Sequence, residues 1–213
     1  MMWGVAVSTE TRTKGERTRT AILDESARLA SVVGLEGLSI GGLAHAIGMS
    51  KSGLYAHFGS KQELQLATVE EAERIFDAEV VQPALAARPG LAQLTEVSEA
   101  FLSYVQRRVF PGGCFFAATA LEMGTHPGPV KDRVAAIQSG FTALLRDFAA
   151  TALEQHELPA SEDPDRLAFE LHAILLGADT KFVLHDDPAI LDLARQVVRQ
   201  RLRLDDGRNA GER

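Results

Sequence analysis

The sequence predicts an all-α protein of about nine helices, in which a short N-terminal helix-turn-helix unit precedes a longer helical region. Three observations carry this. Alanine, leucine and glutamate are abundant, and runs of alternating β-branched residues are missing. Apolar residues recur every three or four positions through most of the 213 residues, and 46% of the chain is hydrophobic, enough for a substantial core. Serine or Asp-Pro start signals and glycine stop signals divide that pattern into helix-length pieces.

The elements follow in order. Residues 1–15 read as a flexible, partly basic arm. From Glu16 to Val33, Ile22, Leu23, Leu29, Ala30 and Val33 form one stripe that Gly34 stops. Ser39 is placed to cap a short helix carrying Leu43, Ala44 and Ile47, and Gly48 stands where a left-handed residue would end it. Ser50 caps a second short helix, Lys51 to Phe58, which Gly59 ends. Leu54 and Phe58 share its apolar face, so Lys51, Ser52, Tyr55 and Ala56 are left on the outer side. Ser60 and Glu63 have the spacing of a capping box, which predicts a helix from Lys61 to about Ala86 with Leu64, Ala67, Ile75, Phe76 and Val80 inward and Glu70, Glu71 and Glu73 in solvent. Gly41 and Gly42 weaken the first short helix by about 1 kcal/mol each relative to alanine.

Later helices are expected from about Leu91 to Val109, Cys114 to Met123 and Val130 to Gln155, then from Asp163-Pro164 to about Leu184 and from Asp187-Pro188 to about Arg203. Residues 205–213 read as a frayed end. The resulting division is an arm at 1–15, a helix-turn-helix unit at 16–61, a longer helical unit at 62–204, and the tail.

Two short helices joined by a tight break, the second with a polar, aromatic and cationic outer face, suit the DNA major groove. The overall charge of −7 opposes a polyanion. Its distribution removes the objection: residues 1–61 hold seven Lys/Arg against five Asp/Glu, so the acidic excess lies in the remainder. Lys51 and Ser52 can reach base edges, Gly53 and Ala56 permit close approach, and Ala56 could meet a thymine methyl.

Enzyme chemistry is not expected, because the histidines are scattered and neither H-x-x-x-H nor C-x-x-C occurs. No cofactor or metal is implied. No segment reaches the ~18–20 apolar residues of a membrane span, and one cysteine, Cys114, fits a reducing cytoplasm.

The entry Gly37-Leu38-Ser39-Ile40, the turn A-x-x-x-G-M-S at Ala44–Ser50 and the closure L-Y-x-H-F-x-S-K-x-x-L at Leu54–Leu64 give the chain a resemblance to the tetracycline-repressor-type (TetR) family of bacterial transcriptional regulators, strongest between Arg17 and Leu66. The segment GGCFFAATALEMGTHPGPVKD is similar to one found in a subgroup of that family. The resemblance implies a homodimer on a palindromic double-stranded DNA operator, a small-molecule effector in each C-terminal domain, and release of repression by that effector. It also implies that Tyr55, His57 and Lys61 touch phosphates, with Ser39 able to join them. On the helices that line the effector cavity in relatives stand Phe76, Phe101, Tyr104, Cys114, Phe115, Phe116, Met123, Phe141, Phe148, His172 and Leu176. Cys114 could also sense redox state if a helix N-terminus lowered its pKa. The last two helices, with Leu167, Leu171, Ile174, Leu175, Ile190, Leu193, Val197 and Val198, are expected to pair across a two-fold axis. The alternative is an architectural or adaptor protein that uses the same fold on DNA without an effector.

Overall fold

In a computed structural model, which describes residues 14–204, every regular element is helical. The helices are α1 (Lys14–Val33), α2 (Ile40–Ala46), α3 (Lys51–Phe58), α4 (Lys61–Phe76), α5 (Gln82–Ala86), α6 (Leu91–Gln106), α7 (Phe115–Met123), α8 (Pro129–Glu154), α9 (Pro164–His185) and α10 (Ala189–Arg201). A π-helical turn, Asp77–Val81, joins α4 to α5 without a break, so these count as one continuous helix and the described residues contain nine. Helix α1 starts at Lys14, earlier than its apolar stripe suggests, so Lys14 and Gly15 belong to it. The remainder of the expected arm and the tail at 205–213 lie outside the described residues.

The chain forms two compact units. Of the described residues, one comprises those up to Phe76 together with Phe110–Gln138, and the other comprises Asp77–Val109 and those from Ser139 to Leu204. The unit boundary at Phe76 coincides with the start of the π-helical turn.

In the first unit α1 packs along α4, and Ile22, Leu23, Ala27 and Ala30 are buried with Leu64, Val69 and Ala72. Ser26 and Thr68 are also fully buried, 2.7 Å apart. Because the Thr68 hydroxyl donates to the Leu64 carbonyl at 2.7 Å, Ser26 is the donor between them, which satisfies both groups away from water. Gly112 passes close to α1: its N–H donates to Ser31 Oγ at 3.1 Å, and a Cβ there would meet the Ser31 carbonyl oxygen at 1.8 Å.

Expected acids in solvent are partly corrected. Glu71 is buried and accepts from Arg74 at 2.5–2.9 Å, while Glu73 is paired with Arg133. Burial of a carboxylate requires such partners, which sequence periodicity cannot supply. The capping box at Ser60 is half made. Ser60 Oγ accepts from the Glu63 N–H at 3.1 Å, but the Ser60 N–H is already taken by the Phe58 carbonyl.

In the second unit α6, α9 and α10 pack together around Leu94, Phe101, Leu167, Leu171, Leu175, Leu191 and Val198. Arg195 of α10 is held by Glu99 and Gln106 of α6, and Arg201 takes both oxygens of Glu162 at 2.8 Å and also meets Glu170. Asp163 caps α9 as expected, accepting from the Asp165 N–H at 3.0 Å, whereas α10 starts one residue later than expected, with Pro188 at its N-cap and Asp187 before it accepting from the Ala189 N–H at 3.0 Å.

Two glycine substitutions separate close approach from backbone freedom. Gly112→Ala is expected to lower stability by about 1–3 kcal/mol through overpacking. A Cβ on Gly41 would meet nothing within 4 Å, so Gly41→Ala should raise stability by about 0.5–1 kcal/mol. Urea unfolding followed by circular dichroism checks both signs.

Candidate nucleic-acid interface

The break between α2 and α3 is built by local chemistry. Ser39, in extended backbone, accepts from the Gly42 N–H at 3.0 Å, and Ser50 accepts from the Gly53 N–H at 3.1 Å. Each cap satisfies one of the amides that a helix start leaves without an internal partner. Gly48 has φ of +68°, the left-handed conformation that ends α2 and lets the chain reverse.

Helix α3 turns Leu54 and Phe58 into the unit, at 0% and 3% exposure, against the buried Leu43 and Ala44 of α2. Burial of two such side chains contributes about 1.5–3 kcal/mol each. The Arg19 guanidinium lies 5.3 Å from the Phe58 ring centroid, a cation-π contact between α1 and α3. The other face of α3 is left open: Lys51, Ser52, Tyr55, Ala56 and His57 are exposed, and Lys51, Ser52 and Tyr55 line one shallow concavity. Gly53 is half-exposed beneath them.

Lys61, at the first turn of α4, has a partner the sequence did not indicate. Its Nζ donates to the Glu36 carbonyl at 2.6 Å and to Glu36 Oε2 at 3.0 Å. The buried Gln65 donates from the same helix to the Leu35 carbonyl at 2.8 Å and to Glu36 Oε1 at 3.2 Å. The hydrogen bonds from Lys61 and Gln65 hold the Glu36 carboxyl below its ordinary range. Beside this pair is a cleft of about 300 Å³ whose lining includes Glu36, Gln62, Gln65, Met123, His126 and Lys131.

The remaining candidates fall into both units. In the first, Phe76, Phe115 and Phe116 are buried in ring contact, with Phe76–Phe116 centroids 5.8 Å and Phe115–Phe116 centroids 5.3 Å apart. Cys114 is buried at the start of α7, where access for an oxidant or electrophile is poor, and Met123 is buried at the other end. In the second, Phe101 and Tyr104 are buried with centroids 6.0 Å apart. His172 meets the Phe141 ring in an edge contact, its Nδ1 lies 3.0 Å from Thr142 Oγ1, and burial pushes its pKa down. Phe148 is buried and Leu176 half-buried.

A three-helix unit that presents the open face of its third helix, followed by a larger helical region, defines a helix-turn-helix transcriptional regulator. Residues 22–68 match the model for bacterial regulatory proteins of the tetR family, and residues 90–198 match the tetracyclin repressor-like C-terminal domain. The chain belongs to the tetR family of DNA-binding transcriptional regulators, which are not enzymes. Among solved structures it is similar to a TetR transcriptional regulator from Chloroflexus aurantiacus, at 26% identity over 88% of this chain and 94% of that one, with a TM-score of 0.81. It shares its fold with AibR in complex with isovaleryl coenzyme A and operator DNA, at 24% identity over 87% of this chain and 97% of the other, with a TM-score of 0.71. It also shares its fold with a CifR cysteine mutant complexed with 26-base-pair operator DNA, at 23% identity over 87% and 95% of the chains, with a TM-score of 0.73. No protein of curated function matches the sequence. Among the described residues no helix is long and apolar enough to cross a membrane.

The Glu36–Lys61 contact has a measurable titration. A carboxyl whose pKa is depressed on folding contributes stability that is present above its unfolded pKa and is lost as pH falls through the folded value. Carboxyl NMR should therefore give Glu36 a midpoint below that of an ordinary glutamate, and Lys61→Ala should move it upward. An unchanged midpoint in that variant would mean that the contact is not populated in solution.

Proposed function

We propose that the protein is a homodimeric, ligand-responsive repressor that reads a palindromic operator and is released from it by a small, largely apolar effector. The observation that carries the DNA reading is the exposed face of α3, where Lys51, Ser52, Tyr55, Ala56 and His57 stand clear of the packing that fixes Leu54 and Phe58. Lys51, Ser52 and Ala56 read base edges, Gly53 allows the helix to approach, and Tyr55, His57 and Ser39 hold phosphates. Lys61 joins the phosphate contacts by exchanging Glu36 for the DNA backbone. In this reading residues 16–61 bind DNA in the cytoplasm, while residues 62–204 bind effector and dimerise.

The dimer reading rests on exposed apolar residues of the last two helices. Phe169, Leu184 and Leu193 are largely in solvent and Val197 is 38% exposed, and on α9 the sequence Phe169, Ala173, Leu176, Thr180, Leu184 follows one helical stripe. Leu167, Leu171, Leu175 and Val198, also expected at the interface, are spent on the interior of the unit. The apolar character of the effector draws on the buried aromatic and sulfur-containing side chains of the C-terminal region, and the presence of an effector at all on the AibR complex, whose isovaleryl coenzyme A is larger and more charged.

Selection from a pool of random DNA duplexes at a fixed salt concentration tests the leading statement. The wild-type protein should enrich a two-fold symmetric sequence whose half-sites lie roughly one helical turn, ~34 Å, apart. Enrichment without symmetry or sequence preference would sink it in favour of an architectural protein. Repeating the selection with Lys51→Ala should change the preferred base at one position per half-site, whereas Tyr55→Ala should weaken binding to all duplexes alike. The same response from both variants would refute this division of roles. Sedimentation of Phe169→Glu/Leu193→Glu should give a folded monomer that binds the selected duplex at least tenfold more weakly, since one half-site alone must then supply the affinity.

A further inference from the structure

The loop between α1 and α2, residues 34–38, determines where Ser39 and the whole helix-turn-helix begin. Leu35 and Glu36 within it are held by side chains from two helices. From α4, Gln65 and Lys61 donate to the Leu35 and Glu36 carbonyls. From the end of α7, Glu122 accepts the N–H of Leu35 on Oε2 at 2.7 Å and the N–H of Glu36 on Oε1 at 2.8 Å.

The receptor for this carboxylate is a property of the loop backbone. Gly34 has φ of +79°, which turns the two following amides toward one point, the kind of concavity that binds an anion. Gly34 also has no side chain to obstruct it: a Cβ there would meet Glu122 Oε1 at 2.6 Å. The bonds are charge-assisted, and each carboxylate oxygen takes one amide, so the contact fixes both the position and the orientation of the loop. Leu35 itself is fully buried, so its amide has little access to water if Glu122 leaves.

We propose that Glu122 is a positioning residue for DNA recognition, with its α7 carboxylate holding the α1–α2 loop in the arrangement that seats Ser39, α2 and α3 for the operator. It touches no DNA. It acts by keeping the competent arrangement populated, because apparent affinity falls in proportion to the fraction of molecules that are competent. The same contact makes the helix-turn-helix sensitive to any shift of α7, through the α1–α2 loop and without requiring a movement of α4.

The inference rests on the proposed DNA-binding role, and the experiment separates the two. The duplex enriched by the wild-type protein and a scrambled duplex of the same length are titrated with wild type, Glu122→Ala and Glu122→Gln by fluorescence anisotropy at one salt concentration. Glu122→Ala should bind the enriched duplex about tenfold more weakly, the size expected when the competent fraction falls to about one tenth, with the scrambled duplex changed less than about twofold. Glu122→Gln keeps one acceptor oxygen and should lie between the two. In NMR spectra the Leu35 and Glu36 amides of Glu122→Ala should lose hydrogen-exchange protection while the amides of α4 keep theirs. Equal affinity of wild type and Glu122→Ala for the enriched duplex would overturn the positioning role alone. An equal loss on both duplexes with a lowered melting temperature would also overturn it, leaving only a structural role. Failure of the wild-type protein to enrich any duplex would overturn the DNA reading beneath it.

Discussion

The open face of α3 depends on the burial of Leu54 and Phe58. A helix of eight residues is too short to be stable in water by its own hydrogen bonds, so its order comes from the surface it packs against. Leu43 and Ala44 of α2 and the Arg19 guanidinium provide that surface. Once those two side chains point inward, the period of the helix leaves Lys51, Ser52, Tyr55 and Ala56 no position but the outside. The capping serines and the left-handed Gly48 then set the angle between the two short helices without using any of the outward-facing side chains.

Polar contacts decide where this unit is held, and they cross long stretches of sequence. Ser26 donates to Thr68 across α1 and α4, Gly112 donates to Ser31, and Glu122 receives the two amides of the α1–α2 loop. The Ser26–Thr68 bond satisfies groups that packing has removed from water and is costly to break, and the others, partly open to water, are specific in geometry. The exposed ion pairs, such as Arg146–Asp147, carry little of this weight because water and salt compete with them. Other charged contacts of the second unit are better organised: Arg201 joins Glu162 and Glu170, and Arg195 ties α10 to α6. They order the last helix while its apolar residues Leu193 and Val197 stay in solvent.

Signals confined to one turn of chain were legible in the sequence. The serines at 39 and 50, the aspartate at 163 and the glycines at 34, 48 and 59 perform the roles that their local pattern indicated. The reach of the helix from Lys61 to Ala86 was also legible, but not the π-helical turn within it, because one extra residue in a turn hardly disturbs the apolar spacing. Glu71 was misread as solvated, since the arginine that neutralises it leaves no mark on hydrophobic periodicity. The Ser60–Glu63 pattern promised two reciprocal bonds and delivered one, because the tight turn at Gly59 hands the Ser60 amide to Phe58 first.

By itself the sequence determined the helical class, the position of the helix-turn-helix and which side chains of α3 face away from its core. Periodicity, capping and backbone freedom are local, and they act over four residues or fewer. Tertiary structure alone decided that Lys61 is engaged by Glu36, that α9 withdraws Leu167, Leu171 and Leu175 while exposing Phe169 and Leu184, and that a glutamate 87 residues from Leu35 anchors the loop on which the motif begins. A hydrogen bond across that separation depends on where folding carries two distant segments, and neither segment alone contains that information.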